Sequence, residues 1–289
     1  MSIPLFSMAS DRFLEAYGSM GILSGLVQVV YLGTAFWLGT RLVLRARRSR
    51  ELPELLLGLH LLLALGLGYV LVSAGVVVAE LSDDPPRHVI APLLALGYAI
   101  TIAGLTATLL FTRQVFHPDG RLGWALALGA AAAMGSGWLA YGASGGFSQG
   151  TFESLEARLL MGSMVLANGW VAVEPLRYYR RMRRRVRLGL AEPIVTDRFL
   201  LWGLGSLARV LMVLLGPISE HALRNSTGDW HAAIPGVTLA AASILGLGTS
   251  LCFWNTFEPS APYRRWVAAR YAPLLASAAA AKSKSSPIS

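Results

Sequence analysis

Leu55–Val78 reads LLLGLHLLLALGLGYVLVSAGVVV, and its only side chain able to carry charge near neutral pH is His60. As a helix this stretch is about 36 Å long, at roughly 1.5 Å per residue. A bilayer's hydrocarbon core is about 30 Å thick and takes about 20 apolar residues to cross. A soluble core helix needs a polar face, and this stretch has none. It reads as a membrane span.

Six more blocks of this kind flank it. The seven predicted spans are Met20–Thr40, Leu55–Val78, Val89–Thr112, Leu122–Tyr141, Leu159–Leu176, Phe199–Leu215 and Ile234–Asn255. Of the 289 residues, 54% are hydrophobic and 14% charged, against about a quarter charged in soluble domains. The fold class expected is an all-α integral membrane protein, a seven-transmembrane-helix bundle, in the cell membrane. Residues 1–259 form the transmembrane domain and 260–289 a cytoplasmic tail, helical and interfacial near Tyr263–Tyr271 and partly disordered after it.

Turn residues fall between the blocks. Pro53 suits a first helical turn, where its missing N–H is not needed. Asp83-Asp84-Pro85-Pro86 and Pro118-Asp119-Gly120 are turns, and Thr196 or Asp197 is a cap for the sixth span. The flank before the first span carries Asp11, Arg12 and Glu15. A signal peptide needs a basic cluster there, so the span reads as a retained anchor.

Lysine and arginine collect in cytoplasmic loops. Twenty of the 25 fall in the loops after spans one, three and five and in the tail. Four fall on the other face, where nine acids also lie, and Arg209 is inside span six. The alternation predicts the N-terminus outside and the C-terminus in the cytoplasm. Trp37, Trp124, Trp202 and Trp254 are expected at the inner interface and Trp138 at the outer one.

The net charge of +9 does not indicate nucleic acid, because the basic residues border apolar blocks and no nucleic-acid motif occurs. One cysteine, Cys252, allows no disulfide within the chain. Neither a cofactor motif nor a metal-ligand spacing occurs, and no nucleophile–base pair suggests an enzyme. The outer loops hold His88, His221 and His231 near Asp83, Asp84, Glu220 and Asp229. These are metal-binding residue types without a metal-binding pattern.

Candidate functional residues are those that are costly inside a bilayer. They are Arg209 in span six, Glu174 in span five, and His60, with Asn168 and Trp170 in span five. A buried guanidinium needs acceptors. Those considered are Glu174, the carbonyls freed by Pro175, and Thr101, Thr106 and Thr108. An ion pair that locks the bundle is the structural alternative to a ligand or proton site.

The basic run Arg180, Arg181, Arg183, Arg184, Arg185 and Arg187 extends span five. It is expected to dock membrane lipids or a cytoplasmic protein partner. Small-residue stripes at Ala99, Ala103 and Ala107 and at Ala125, Gly129, Ala133 and Gly137 suit close helix packing. The alternative for such a stripe is a homo-oligomer face.

Retinal proteins and G-protein-coupled receptors share this topology, but their motifs are missing. Span seven has no lysine, which excludes a retinal Schiff base there. Span three ends Phe111-Thr112-Arg113-Gln114 and span seven Asn255-Thr256-Phe257-Glu258-Pro259, neither in the receptor pattern. The expected function is a sensor or receptor-like bundle for a small ligand, acting through a cytoplasmic partner. The alternatives are a small-solute or proton-coupled transporter and a structural subunit of a membrane complex.

Overall fold

The structure is a computed structural model. It describes the backbone of residues 7–80, 86–149, 154–227 and 229–285, and side chains over 24–79, 86–148, 154–219, 221–223, 225–227 and 233–276. Every regular element among them is helical. They are α1 (Ser7–Ser49), α2 (Leu52–His60), a π-helical segment (Leu61–Leu67), α3 (Gly68–Glu80), α4 (Arg87–Phe116), α5 (Arg121–Ala143), α6 (Gly146–Gln149), α7 (Leu155–Arg187), α8 (Pro193–Asn225), α9 (Asp229–Phe257) and α10 (Ala261–Ser285).

Among the described residues, seven helical stretches are long and apolar enough to cross a membrane, with α2, the π segment and α3 forming one of them. This is a multi-pass membrane bundle, and each predicted block falls on its own span. The spans pack in chain order into a ring. The second packs on the first and third, the fourth on the third and fifth, and α9 closes back on α1. The third span, α4, also touches α7 and so sits towards the middle.

The close contacts run through glycines. A Cβ on Gly104 would lie 2.5 Å from the backbone nitrogen of Ala64, and one on Gly97 would lie 2.8 Å from that of Val72. Glycine at these positions lets the second and third spans meet backbone to backbone. The alanine stripe in α4 is not this seam: Ala103 is exposed and Ala99 half-buried, with Ala107 alone buried. In α5, a Cβ on Gly137 would lie 2.9 Å from the Leu160 Cα, but Ala125, Gly129 and Ala133 face outward. The expected packing stripe of α5 therefore closes one contact and leaves the rest of its length exposed.

Helix ends follow local chemistry. Pro53 sits in the first turn of α2, and the Ser154 hydroxyl caps α7 by accepting from the Ala157 N–H at 3.1 Å. The sixth span begins earlier than expected. Pro193 opens α8 with Glu192 as the cap residue, so Thr196 and Asp197 lie inside the helix, not at its cap. Asp197 is instead held by the tail. Arg270 donates to its Oδ1 at 3.2 Å, Tyr271 donates to the same oxygen at 3.3 Å, and the Tyr263 hydroxyl donates to Oδ2. The tail helix α10 thus docks on α7 and α8, with Val267 and Tyr271 buried beside Val186. The helix expected near Tyr263–Tyr271 is present, with one face packed on α7 and α8 and not free of the bundle, and the end of the tail, 286–289, lies outside the described residues.

Trp37, Trp124 and Trp254 are exposed on the bundle surface, as interface residues would be. Trp202 is buried within the bundle, its ring 4.5 Å from that of Phe111. Trp138 is half-buried and donates its indole N–H to the Ala95 carbonyl at 2.9 Å.

Candidate functional site

The intramembrane residues singled out in the sequence fall into two separate clusters. The first lies at mid-bundle. His60 closes α2 just before the π segment, and its ring is locked between two partners. Nδ1 lies 3.0 Å from the Gly104 carbonyl, and Nε2 lies 2.6 Å from Arg209 Nη1. A guanidinium only donates, so Nε2 must accept and the ring proton sits on Nδ1, donated to Gly104. The second and sixth spans are thereby tied across the middle of the ring. The Tyr31 hydroxyl from α1 also hydrogen-bonds to Arg209.

His60 and Arg209 are 2% and 8% exposed. Among the described residues no carboxylate makes an ion pair with Arg209. Its partners are a neutral imidazole and a phenol, not the Glu174, Pro175 carbonyls or threonine row considered from sequence. Burying a charge is tolerable when it is hydrogen-bonded, but full compensation needs an opposite charge.

Arg209 lines a cavity of about 310 Å³ and is the lining residue of α8 nearest the basic end. This is at the small end of ligand pockets, which run from about 300 Å³ upwards. Tyr31, Tyr69 and Tyr98 give it aromatic walls, and Met161, Met164 and Met212 give it soft apolar ones. The lining extends from Arg209, Asn168 and Ala64 to Val72, Tyr98 and Pro217. Each of those steps leads away from the arginine-rich end of the bundle.

Asn168 adds a second polar group. Its Nδ2 donates to the Met164 carbonyl at 2.8 Å, which fixes the amide orientation, and its buried Oδ1 has no hydrogen-bond partner. The cavity is thus lined by one guanidinium and one amide, beside its three tyrosines. Beside the cavity, Gln28 donates to the Tyr69 hydroxyl at 2.7 Å, and the Tyr31 and Tyr69 rings meet edge to face at 5.4 Å.

On the basic side, Leu61 and Leu109 lie about one turn beyond the lining residues Ala64 and Leu105 and are buried to 1% exposure or less. Below them Phe111, Phe116, Tyr178, Phe199 and Trp202 form a connected aromatic plug.

The second cluster lies at that basic end. Glu174 Oε2 is 3.3 Å from His117 Nε2, and its Oε1 is 3.3 Å from Arg177 Nη1. Trp170 stacks near His117 at 6.3 Å between ring centroids. Glu174 and Trp170 thus do not join the Arg209 cavity. His117, which nothing in the sequence pattern singled out, is the residue that gathers them.

His88 and His221 are exposed, while the side chains of Asp83, Asp84, Glu220, Asp229 and His231 lie outside the described residues. Among the described residues no group of three metal-ligand types comes together.

Of the six arginines from Arg180 to Arg187, the structure divides the run. Arg180, Arg183, Arg184 and Arg187 line one groove with Leu176, Tyr179 and Leu200, while Arg181 and Arg185 are not part of it.

No family model, curated protein or solved structure matches this chain. What can be said of function rests on the chemistry of these clusters.

Proposed function

We propose that this chain is a membrane sensor or receptor-like bundle that binds a small anionic ligand with an apolar body at Arg209. The observation that carries the reading is a buried guanidinium that lines a cavity and has only neutral partners. A carboxylate entering there would gain a charge-assisted, bidentate pair in a low-dielectric site. The tyrosine and methionine walls suit an aromatic or aliphatic body, and Asn168 Oδ1 would accept from an N–H or O–H beside the carboxylate. Hydroxy acids and N-acylated amino acids have that combination.

The charge distribution supports an orientation with the basic end in the cytoplasm and the cavity facing outside. Leu61, Leu109 and the aromatic plug below the cavity favour one-sided access, hence a sensor over a transporter. Ligand contact with Tyr31, Tyr69 and Arg209 would pull on α1, α3 and α8 together. The tail helix docked on α7 and α8 is the natural surface for reporting that movement to a cytoplasmic protein.

The test is a thermal-shift titration of the purified protein in detergent with octanoate, 3-hydroxyoctanoate and indole-3-acetate. Stabilisation by at least one carboxylate, lost in Arg209→Gln, is expected. A folded Arg209→Gln protein that responds as the parent does would end the reading.

The transporter reading has one specific footing, the π segment directly after His60, since π turns inside helices often mark functional sites. Labelling of Met212→Cys in a Cys252→Ala background separates the two. A sensor predicts modification from one side of the membrane, a transporter from both.

A further inference from the structure

We infer that the groove between α7 and α8 at the basic end is a binding site for one anionic diacyl phospholipid. Arg180, Arg183, Arg184 and Arg187 line it, over Leu176 and Leu200, in a cavity of about 450 Å³. At about 100° per residue these four arginines fall within roughly one third of the helix circumference. Arg181 and Arg185 fall outside that arc, in keeping with their absence from the groove.

No acid among the described residues pairs with any of the four. The arginine ion pairs among the described residues use Arg41, Arg45, Arg177 and Arg270. Like charges three and four residues apart repel along a helix. A row of this kind is relieved by an anion that bridges it, and guanidinium groups bind phosphate oxygens in matched pairs.

The floor of the groove decides which anion. Leu176 is the last residue of the apolar block of span five, one turn before Arg180. The groove therefore sets a cationic row directly beside apolar side chains at the edge of the hydrocarbon layer. A phospholipid has this same succession, a phosphate followed by acyl chains. Free phosphate or an acidic peptide would leave Leu176 and Leu200 unused.

The site also touches the tail. Tyr179 lines the groove, and its hydroxyl accepts from Arg270 Nη2 at 3.4 Å. Occupancy of the groove and docking of α10 share that residue. None of this depends on the Arg209 cavity, which lies deeper in the bundle.

The experiment is thermal protection of the full-length protein in a neutral detergent. The probes are dioctanoyl phosphatidylglycerol, dioctanoyl phosphatidylcholine, inorganic phosphate and poly-glutamate. The groove variant R180Q/R183Q/R184Q/R187Q is compared with R47Q/R48Q/R181Q/R185Q, which removes the same charge elsewhere. Phosphatidylglycerol is expected to protect the parent and the control, and to bind the groove variant weaker by on the order of a hundredfold, several-fold per arginine.

Equal protection by phosphatidylcholine, or by phosphate alone, would overturn the proposal. So would poly-glutamate binding more tightly than the lipid, which would assign the groove to an acidic protein. Equal loss in both quadruple variants would reduce the effect to net charge and also overturn it. Should the groove variant not fold, R183Q and R184Q singly carry the test, each expected to weaken the lipid several-fold. No change in either would refute the site.

Discussion

Arg209 and His60 meet across the middle of the bundle, Nη1 to Nε2 at 2.6 Å, from spans that are not neighbours in the ring. The imidazole is held from its other side by the Gly104 carbonyl, so three spans share one hydrogen-bond chain. His60→Leu would keep the volume and strip both bonds. It would leave a buried carbonyl and a buried guanidinium nitrogen each short of a partner. At about 1–3 kcal/mol per stranded group, a loss of roughly 2–4 kcal/mol is expected. Thermal unfolding in detergent measures it, and ¹⁵N NMR of the parent should show the proton on Nδ1. A His60→Leu protein as stable as its parent would mean that the chain of bonds contributes little.

Asp197 anchors the tail, being 1% exposed and bonded by Tyr263, Arg270 and Tyr271. Asp197→Ala would leave these three donors without their common acceptor. A loss of roughly 2 kcal/mol of docking free energy is expected, allowing for the partial exposure of Arg270. Val267→Cys, buried in the parent at 1% exposure, reports it. Its thiol should label much faster in the Asp197→Ala background, while the spans stay folded.

The same joint should open at alkaline pH. Burial pushes the Tyr263 hydroxyl above the ordinary phenol range, helped by its bond to Asp197. Burial also raises Tyr271, helped by a bond to Tyr179. A group whose pKa is raised on docking stabilises the docked form fully below its free pKa, about 10 for tyrosine, and loses that contribution as pH rises from there. Val267→Cys labelling should therefore be flat up to about pH 10 and climb above it. Tyr263→Phe should flatten part of the rise.

The seven spans were legible because apolar runs of this length have one physical solution in a chain with so little charge. The mid-membrane candidates were legible for the same reason: His60, Arg209 and Asn168 stand out against leucine. Their partners were not. His60 and Arg209 are 149 residues apart, and nothing local to either says that they meet. Glu174 seemed the natural counter-ion by charge, yet it lies nearer the basic end, where His117 reaches it. Asp197 had the look of a helix cap, but Pro193 starts the helix a turn earlier and frees the carboxylate for the tail. Trp202 had the look of an exposed belt residue, and only the packing of Phe111 against it shows that it is buried. In each case the residue type was a sound guide to cost, and the tertiary partner decided the role.

Glu174 offers a control for the ligand proposal. Its two contacts, at 3.3 Å each, are to a half-exposed histidine and a largely exposed arginine. Pairs of this kind contribute about 0–1 kcal/mol. Glu174→Gln is expected to lower stability by no more than about 1 kcal/mol and to leave carboxylate binding unchanged. A double-mutant cycle between Glu174→Gln and Arg209→Gln should give a coupling near zero, because the two side chains belong to different clusters. A coupling above about 1 kcal/mol would place them in one network and overturn the separation.

Glycine substitutions separate the inner seam from the exposed stripe. A methyl on Gly104 would meet the Ala64 nitrogen at 2.5 Å and its Cβ at 2.8 Å, and backbone cannot swing aside as a flexible side chain can. Gly104→Ala should therefore cost about 1–3 kcal/mol. It should also weaken carboxylate binding, since moving α4 displaces the carbonyl that holds His60. Gly129 has no atom within 4 Å of the same methyl. In a helix interior alanine is better than glycine by about 0.5–1 kcal/mol, so Gly129→Ala should be neutral or stabilising for the single bundle. Gly129→Leu then addresses the homo-oligomer alternative for this face. A side chain of that size fits against lipid but not within a close seam between two copies. Sedimentation in detergent that shows a dimer in the parent and a monomer in Gly129→Leu would assign the stripe to self-association. An unchanged sedimentation profile would leave the stripe facing lipid.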